Sequence, residues 1–357
     1  MPFTETSPLA RAVVSAVIVD VDGVKLTSSG DGHLPVLRVE VTLEVDRPGS
    51  FVIETADLDA ESFEWIDGGS VAEGKPVTIS MGWGDDIAAV MTGEITGLEL
   101  DVAASEAPRV TIRGFDRLHR LTRGRKTVAY AEVKDSEIAA KIASANGLTA
   151  AVQATKEKHA YVLQAEETDL AFLSARARAN GYVLLVDGTT LSFKPRPLAD
   201  AADFTVDAKS DLLELSVRTS ILGQVGTHAV RGWSAAEQAP LVAEAKASAA
   251  AKMGGKKTGG ELADERIGAV VGQVTGLPIT SQAQADAAAA AEAEAEALRH
   301  VSCEVTVSGV NTLRQGTIAA IRGYGDRFSG SYYLDRVSHT FADGTYTTSL
   351  SGKRSAT

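Results

Sequence analysis

The chain has 357 residues, a net charge of −12 and a pI near 5.1. That length admits two or three domains, and 44% apolar residues suffice for a real core. The acidic balance argues against non-specific nucleic-acid binding as the main task, while leaving room for a local basic patch. The single cysteine, Cys303, can build neither a disulfide framework nor a cysteine-based metal site. Within Val301–Val307 it reads as a buried small hydrophobe. Residues 1–8 lack the basic and apolar regions of a secretion signal, and no apolar run is long enough to cross a bilayer. The expectation is a soluble protein made in the cytoplasm.

Residues 10–117 read as β. Leu37, Val39, Val41, Leu43 and Val45 alternate with Arg38, Glu40, Thr42 and Glu44, a period of two with one face for a core and one for water. Shorter alternations follow at Val77-Ile79-Met81, Leu98-Leu100-Val102 and Val110-Ile112. This pattern predicts antiparallel strands with one wet face. Residues 118–204 change character. A helix is predicted over Asp135–Ala145, with Ile138 and Ile142 four apart and Asn146-Gly147 as its stop. A second runs from Thr168 to Ala179, turning Leu170, Phe172 and Leu173 inward, and Asn180-Gly181 ends it. Tyr182–Val186 and Thr190–Phe193 form a hairpin around Asp187-Gly188, and Pro195 and Pro197 close this α+β module.

Residues 205–235 return to β. The mixture of alanine, lysine and glycine over 236–280, including Met253-Gly-Gly-Lys-Lys-Thr-Gly-Gly260, predicts a mobile loop. The Ala- and Glu-rich stretch 281–299 predicts a helix, with Ser281 and Gln284 fitting a capping box and Arg299 at the favourable end of the dipole. Strands resume at Val301.

One feature organises the chain. Gly82-Trp83-Gly84-Asp85 recurs as Gly323-Tyr324-Gly325-Asp326, each after one strand and before two more, and a one-residue gap aligns Ile95 with Val337. The reading is two similar β units. The first spans 1–117 and is completed by 205–222, the α+β module 118–204 interrupts it, and the second spans 223–357. Three copies of a two-unit chain would make a ring of six similar units.

Catalytic signals are weak. Val17-Ile-Val-Asp-Val-Asp-Gly-Val24 looks like the nucleophile loop of haloacid-dehalogenase-type phosphatases, with Asp20 as nucleophile and Asp22 as acid/base. That chemistry needs parallel strands and crossover helices, whereas half-polar alternating strands follow here, and a plain turn at Asp22-Gly23 explains the motif. Lys256-Lys257-Thr258 lacks the spacing of a phosphate loop. The six histidines show no metal spacing, so no cofactor is expected. A cell-wall-binding role for 118–204 would need an aromatic platform, and Tyr130, Tyr161, Phe172 and Tyr182 read as core or edge residues instead. The densest charge cluster is Arg117, Arg120, Arg123, Arg125 and Lys126, with Arg113 and His119 beside it. It reads either as a solvated domain boundary or as a docking patch for an acidic neighbour.

The stretches Phe115-Asp-Arg-Leu-His-Arg-Leu-Thr-Arg-Gly-Arg125, Asp135-Ser-Glu-Ile-Ala-Ala-Lys-Ile142, Thr168-Asp-Leu-Ala-Phe-Leu-Ser-Ala-Arg-Ala-Arg-Ala-Asn-Gly-Tyr182, Leu191-Ser-Phe-Lys-Pro195 and Gly323–Phe341 resemble the phage late control D family. That family includes phage tail hubs and the hub part of type VI secretion spike proteins. The resemblance covers nearly the whole chain. It implies a mainly β protein with an α+β insertion, and two tube-type β-barrels per chain. It further implies a homotrimer whose pseudo-six-fold ring joins a six-fold inner tube to a three-fold spike. The function implied is structural, a baseplate hub of a contractile phage tail or related injection system, without catalysis. Partners implied are the inner tube, the baseplate wedge and a separate spike, the last because no spike domain follows Thr357. Neither specific nucleic-acid binding nor membrane insertion is expected.

Overall fold

The computed structural model describes residues 14–28, 35–55, 60–104, 107–198, 201–207, 212–235, 237–276 and 279–357. The reading of residues 1–8 as free of a signal, and the start of the first β stretch at 10–13, lie outside the described residues. The first β unit contains β1 (Ser15–Val21), β2 (Val24–Thr27), β3 (Val36–Glu44), β4 (Ser50–Thr55), helix α1 (Ala60–Asp67), β5 (Pro76–Trp83), β6 (Asp86–Asp101) and β7 (Arg109–Phe115). Its strands lie side by side in the order β3-β4-β7-β6-β5-β1-β2, every neighbour antiparallel. Every strand sends inward residues, among them Val19, Leu26, Val41, Ile53, Ile79, Ile95 and Ile112, into one core. The sheet therefore curls around that core, and an isolated bridge from Thr27 to Pro35 links its two ends.

The expected alternation holds with a shifted phase. A β-bulge between Val36 and Arg38 puts Val36 inside and leaves Leu37 42% exposed. Leu98 is half-buried, and Leu100 and Val102 face water, at 54% and 69% exposed. Period two predicts a face only until an extra residue intervenes.

A 3-10 turn (Arg117–Thr122) opens the α+β module, followed by β8 (Lys126–Lys134), α2 (Asp135–Ala145), β9 (Thr149–Val152), β10 (Lys158–Glu167), α3 (Asp169–Asn180), β11 (Tyr182–Asp187) and β12 (Thr190–Pro195). The helix ends follow the expected chemistry. The Thr168 hydroxyl accepts from Ala171 N, and Gly181 takes φ +67° to stop α3. Ile138, Ile142, Phe172 and Leu173 close the module's own core.

The chain then forms β13 (Phe204–Asp207), β14 (Leu212–Thr219), β15 (Thr227–Ser234), β16 (Ala239–Lys246), α4 (Gly259–Arg266), β17 (Val271–Val274), α5 (Gln282–Ala297), β18 (Val301–Ser308), β19 (Ile318–Arg322), α6 (Gly325–Phe328), β20 (Gly330–Ala342) and β21 (Thr345–Arg354). Two expectations are corrected here. Residues 205–222 do not complete the first unit, because β13 pairs with β19 and β14 with β18. The α+β module thus lies between the two units. The expected loop at 236–280 carries two strands and a helix, with β16-β15-β17 as a separate sheet. Its glycines serve close packing rather than looseness: a Cβ on Gly255 would lie 2.4 Å from Thr357 N, and one on Gly260 2.3 Å from the Val225 carbonyl. Thr258 is fully buried and caps α4.

The repeat is far clearer in the backbone than in the residues. Across the sheet, β14-β18-β21-β20-β19 follows the same sequence order and the same antiparallel pairing as β3-β4-β7-β6-β5. The bulge at Val36/Arg38 recurs at Leu212/Glu214, and the bulge at Ile95/Gly97 recurs at Leu334/Arg336. Gly114, opposite Ile95, corresponds to Gly352, opposite Leu334. Ile95 therefore matches Leu334, and Val337 matches Leu98, which replaces the alignment of Ile95 with Val337. The Gly82–Asp85 and Gly323–Asp326 motifs occupy the same connection, β5 to β6 and β19 to β20. The first is a tight turn, however, and the second holds the α6 turn. The two units join where β3 pairs with β20, Glu44–Arg38 against Arg336–Ala342, giving one thirteen-stranded sheet.

A Cβ on Gly114 would meet both Phe51 Cζ and the Glu94 carbonyl at 2.2 Å. Gly114→Ala should cost about 1–3 kcal/mol by overpacking, read as a lower urea midpoint at unchanged slope.

Candidate functional site

The basic segment was the leading candidate for docking, and the structure divides it. Glu94, on β6, is 9% exposed. It receives Arg120 through Nε at 3.0 Å and through Nη2, with Arg117 Nε at 3.4 Å and His119 Nε2 at 3.7 Å. The 3-10 turn that aims these side chains is capped by Asp116. Its Oδ1 accepts from Leu118 N at 2.9 Å and its Oδ2 from Gly49 N at 2.8 Å. Burial pushes the Asp116 carboxyl up to about 7 against the pull of those two N–H bonds. Lys126 Nζ reaches Asp169 Oδ2 at 2.5 Å, and Arg125 donates to the Glu166 carbonyl at 2.9 Å. Arg117, Arg120 and Lys126 are therefore internal fasteners, the first two holding the α+β module to the first β unit. Exposed Arg123, which makes no ion pair among the described residues, and half-engaged Arg125 are what remains for a partner.

Asp20 and Asp22 make a turn. Asp20 Oδ1 accepts from Gly23 N at 2.8 Å, and Asp22 pairs with Lys75 at 2.7 Å on the surface. Asp22 and Gly23 take φ +51° and +93°, as a two-residue hairpin needs. Both neighbours of β1 are antiparallel, so the strand that carries Asp20 is not part of the parallel sheet that a phosphatase needs. Lys256 and Lys257 direct their backbone N–H groups at the Thr357 carbonyl, not at an anion site.

The repeat turns are structural anchors. Trp83 Nε1 donates to the Gly309 carbonyl at 2.9 Å, tying the first turn to the second unit. The loop of the second motif is held by Arg354, which is fully buried. Its Nη2 donates to the Arg327 carbonyl at 2.8 Å, its Nε donates to the Ala356 carbonyl at 2.7 Å, and its guanidinium lies 5.3 Å from the Tyr332 ring centre.

A polar cluster that sequence reasoning missed lies between the α+β module and α5, beside a cleft of about 490 Å³. Asp135, 1% exposed, takes a two-pronged contact from Arg176 at 2.6 and 2.9 Å, with His159 Nε2 at 3.1 Å and Asn180 Nδ2 at 2.7 Å. Gln284, on α5, donates to His159 Nδ1 at 2.9 Å. Burial alone would raise the Asp135 carboxyl, but the bonds from His159, Arg176 and Asn180 and the Arg176 charge bring it to about 2. Both carboxylate oxygens are engaged, one by Arg176 and the other by Arg176, His159 and Asn180, so the cluster positions elements. The only signal was Arg176 and Asn180 four apart on one helix. His159, Arg176 and Asn180 lie 24 to 45 residues from Asp135 in the chain.

Among the described residues no group of His, Cys, Asp and Glu is placed to hold a metal ion, and no helix is long and apolar enough to cross a membrane. A family model described as the Alg8 N-terminal domain matches residues 11–343. The chain belongs to that family. Solved structures share the fold at low identity. The 43 kDa tail protein of prophage MuSo2 from Shewanella oneidensis is 12% identical with a TM-score of 0.71, covering 95% of this chain and 98% of that one. A tail protein from Neisseria meningitidis is 14% identical with a TM-score of 0.68, covering 96% of both. An Escherichia coli component of the type VI secretion system, described as similar to the T4 tail proteins gp27 and gp5, is 13% identical with a TM-score of 0.59, covering 94% of this chain and 76% of that one. No curated protein sequence matches the chain. The mainly β fold of this Alg8 N-terminal domain family member is thus the fold of phage tail proteins and of hub-like secretion components.

Three outcomes follow from these geometries. Arg117→Glu with Arg120→Glu should lower the melting temperature by several degrees, because Glu94 is then a buried carboxylate among like charges. Arg123→Glu should leave the unfolding free energy unchanged within about 0.5 kcal/mol. Asp135→Ala should cost about 3–5 kcal/mol, since it strands a largely buried guanidinium. Because the folded carboxyl titrates below its unfolded value, its contribution is whole above pH about 4. It is lost as pH falls towards 2, and denaturation series of wild type and variant should converge over that window.

Proposed function

We propose that the chain is a structural hub of late control D type, in the baseplate of a contractile phage tail or related injection system. On this reading the two β units are tube-type β-barrels. Three copies present six such units to a six-fold inner tube and three copies of one chain to a three-fold spike. The α+β module and the β16-β15-β17 insertion lie outside the ring. The tube, wedge and spike proteins are the partners, and the hub is assembled in the bacterial cytoplasm into the particle. It needs neither a cofactor nor a catalytic residue.

The observation that carries this reading is the repeat of a five-strand unit, with two of its bulges at matching places, within one continuous sheet. A two-unit chain is what converts three-fold into pseudo-six-fold symmetry. The tail-protein fold of its structural neighbours supports the same role. Arg123 and Arg125 are the basic residues left to steer an acidic neighbour, an effect on association more than on stability.

Native mass spectrometry of the chain purified with its spike partner should report three copies. One copy or six in that complex would overturn the hub reading.

A further inference from the structure

The parts of the molecule meet around one polar cavity of about 260 Å³. The β3–β4 turn, residues 44–47, forms one wall. Arg196, just after β12, brings in the end of the α+β module, and Arg299 the end of α5. Tyr333 and Asp335 of β20 and Lys353 of β21 belong to the second unit. Four cationic side chains line this cavity against three carboxylates, in a chain whose net charge is −12.

The buried polar groups here do not satisfy one another. Tyr333 is 2% exposed, and its hydroxyl has no hydrogen-bond partner among the described residues. Asp335 gives Oδ2 to Lys353 Nζ at 2.6 Å, while its buried Oδ1 has no partner among them. The Arg196 side chain is 17% exposed, and its one ion pair among the described residues, to Glu294, is 3.9 Å long. Burial pushes the Asp46 carboxyl up, which weakens the negative side of the cavity. Burial, opposed by Arg196 and aided by the carboxylates of Asp46, Asp335 and Glu294, pushes the Tyr333 hydroxyl up as well. Tyr333 therefore keeps its proton and can donate it. Buried polar groups without partners are rare in folded proteins, and a bound ion is one of the few things that completes them.

We propose that this cavity binds a small oxyanion that still carries a proton, of the class of hydrogen phosphate. Arg196 supplies a planar fork of N–H donors, which suits paired phosphate oxygens. Tyr333 donates its O–H to another oxygen. The ligand gives its own proton to Asp335 Oδ1, an acceptor that no fully ionised anion can satisfy. Sulfate, close to phosphate in size and charge, has no proton at neutral pH and would leave Oδ1 facing an anion. A buried group that requires a donor rejects the analogue that lacks one. The ion bridges the α+β module, through Arg196, to the second β unit, through Tyr333 and Asp335. Its occupancy therefore stabilises the folded chain.

The test is calorimetric titration and thermal unfolding of the full chain with inorganic phosphate at pH 7, against sulfate at matched ionic strength. Both salts strengthen apolar burial in general, so the difference between them is the readout. Phosphate should bind at one site per chain and raise Tm by a few degrees more than sulfate. Tyr333→Phe removes an unpartnered hydroxyl, so Tm without phosphate should hold or rise, while phosphate binding weakens about tenfold. Arg196→Gln should abolish binding. Asp335→Asn, which offers a donor in place of an acceptor, should erase the preference for phosphate over sulfate. If Arg196→Gln or Asp335→Asn fails to fold, Tyr333→Phe decides alone. Phenyl phosphate separates the sources of the group. Tighter binding than inorganic phosphate assigns the cavity to the end of a phosphorylated molecule, and equal or weaker binding assigns it to the free ion. Equal shifts from phosphate and sulfate, unchanged in Tyr333→Phe, would overturn the site, and so would the absence of any heat of phosphate binding.

Discussion

The pairing of β3 with β20 is the constraint on which the rest of the molecule depends. Strands have a side-chain period of two, so a slip of one residue would turn Val39, Val41 and Leu43 out of the core together. The register is fixed from both sides. The first unit supplies the bulge at Val36/Arg38 and the second the bulge at Leu334/Arg336. Residues 309–317 of the second unit then lock onto the start of β6. Asn311 donates to the Asp86 carbonyl at 3.1 Å, Arg314 to the Ala89 carbonyl at 2.6 Å, and Gly309 accepts from Trp83. Behind them His339 lies fully buried between the Tyr346 hydroxyl at 2.8 Å and the Leu313 carbonyl at 3.2 Å. Burial and the nearby Arg314 push its imidazole down to about 3, so it stays neutral. A neutral ring with both nitrogens satisfied can occupy such a seam without cost to the sheet.

With the two units fixed, the inserted modules are secured to each other and not only to the sheet. Helix α5 is the common wall. Its buried alanines, Ala285, Ala288 and Ala289, pack with Val230, Leu241 and Ala243 of β15 and β16. Its other side meets the α+β module through Arg178–Glu292 at 3.0 Å, Ser281–Glu157 at 2.8 Å and Gln284–His159. A helix of small residues can be approached closely on more than one face, and Gly181 at the end of α3 lies against Ala291. The Asp135 cluster sits at this seam. Its role is to set the angle between α2 and α3, from which the contact with α5 follows.

Much of this was legible locally. Alternation placed the strands, and the Thr168 and Asn180-Gly181 signals placed α3 nearly to the residue. Ser281 placed the start of α5. What failed depended on residues far apart in the chain. A bulge leaves no mark in a pattern of apolar residues, so the faces of Leu37 and the partner of Ile95 were misjudged for the same reason. Glycines at 254–260 look like a linker when the backbone of Thr357 and Val225 that presses on them is not in view. The basic segment looked free because its counter-charges, Glu94 and Asp169, lie 26 and 43 residues from Arg120 and Lys126.

The two halves of the repeat differ in what they bury at the same strand position. Val41 meets His339 inside the chain, and the polar partners His339 needs, Tyr346 and Leu313, fold with it. A histidine in the equivalent place on β6 would lie on a stretch with a strand on one edge only among the described residues, and would stay in water. Position 100 is a leucine. It can remain in water without an orphaned donor. An intramolecular seam tolerates buried polarity because folding supplies its partners at once.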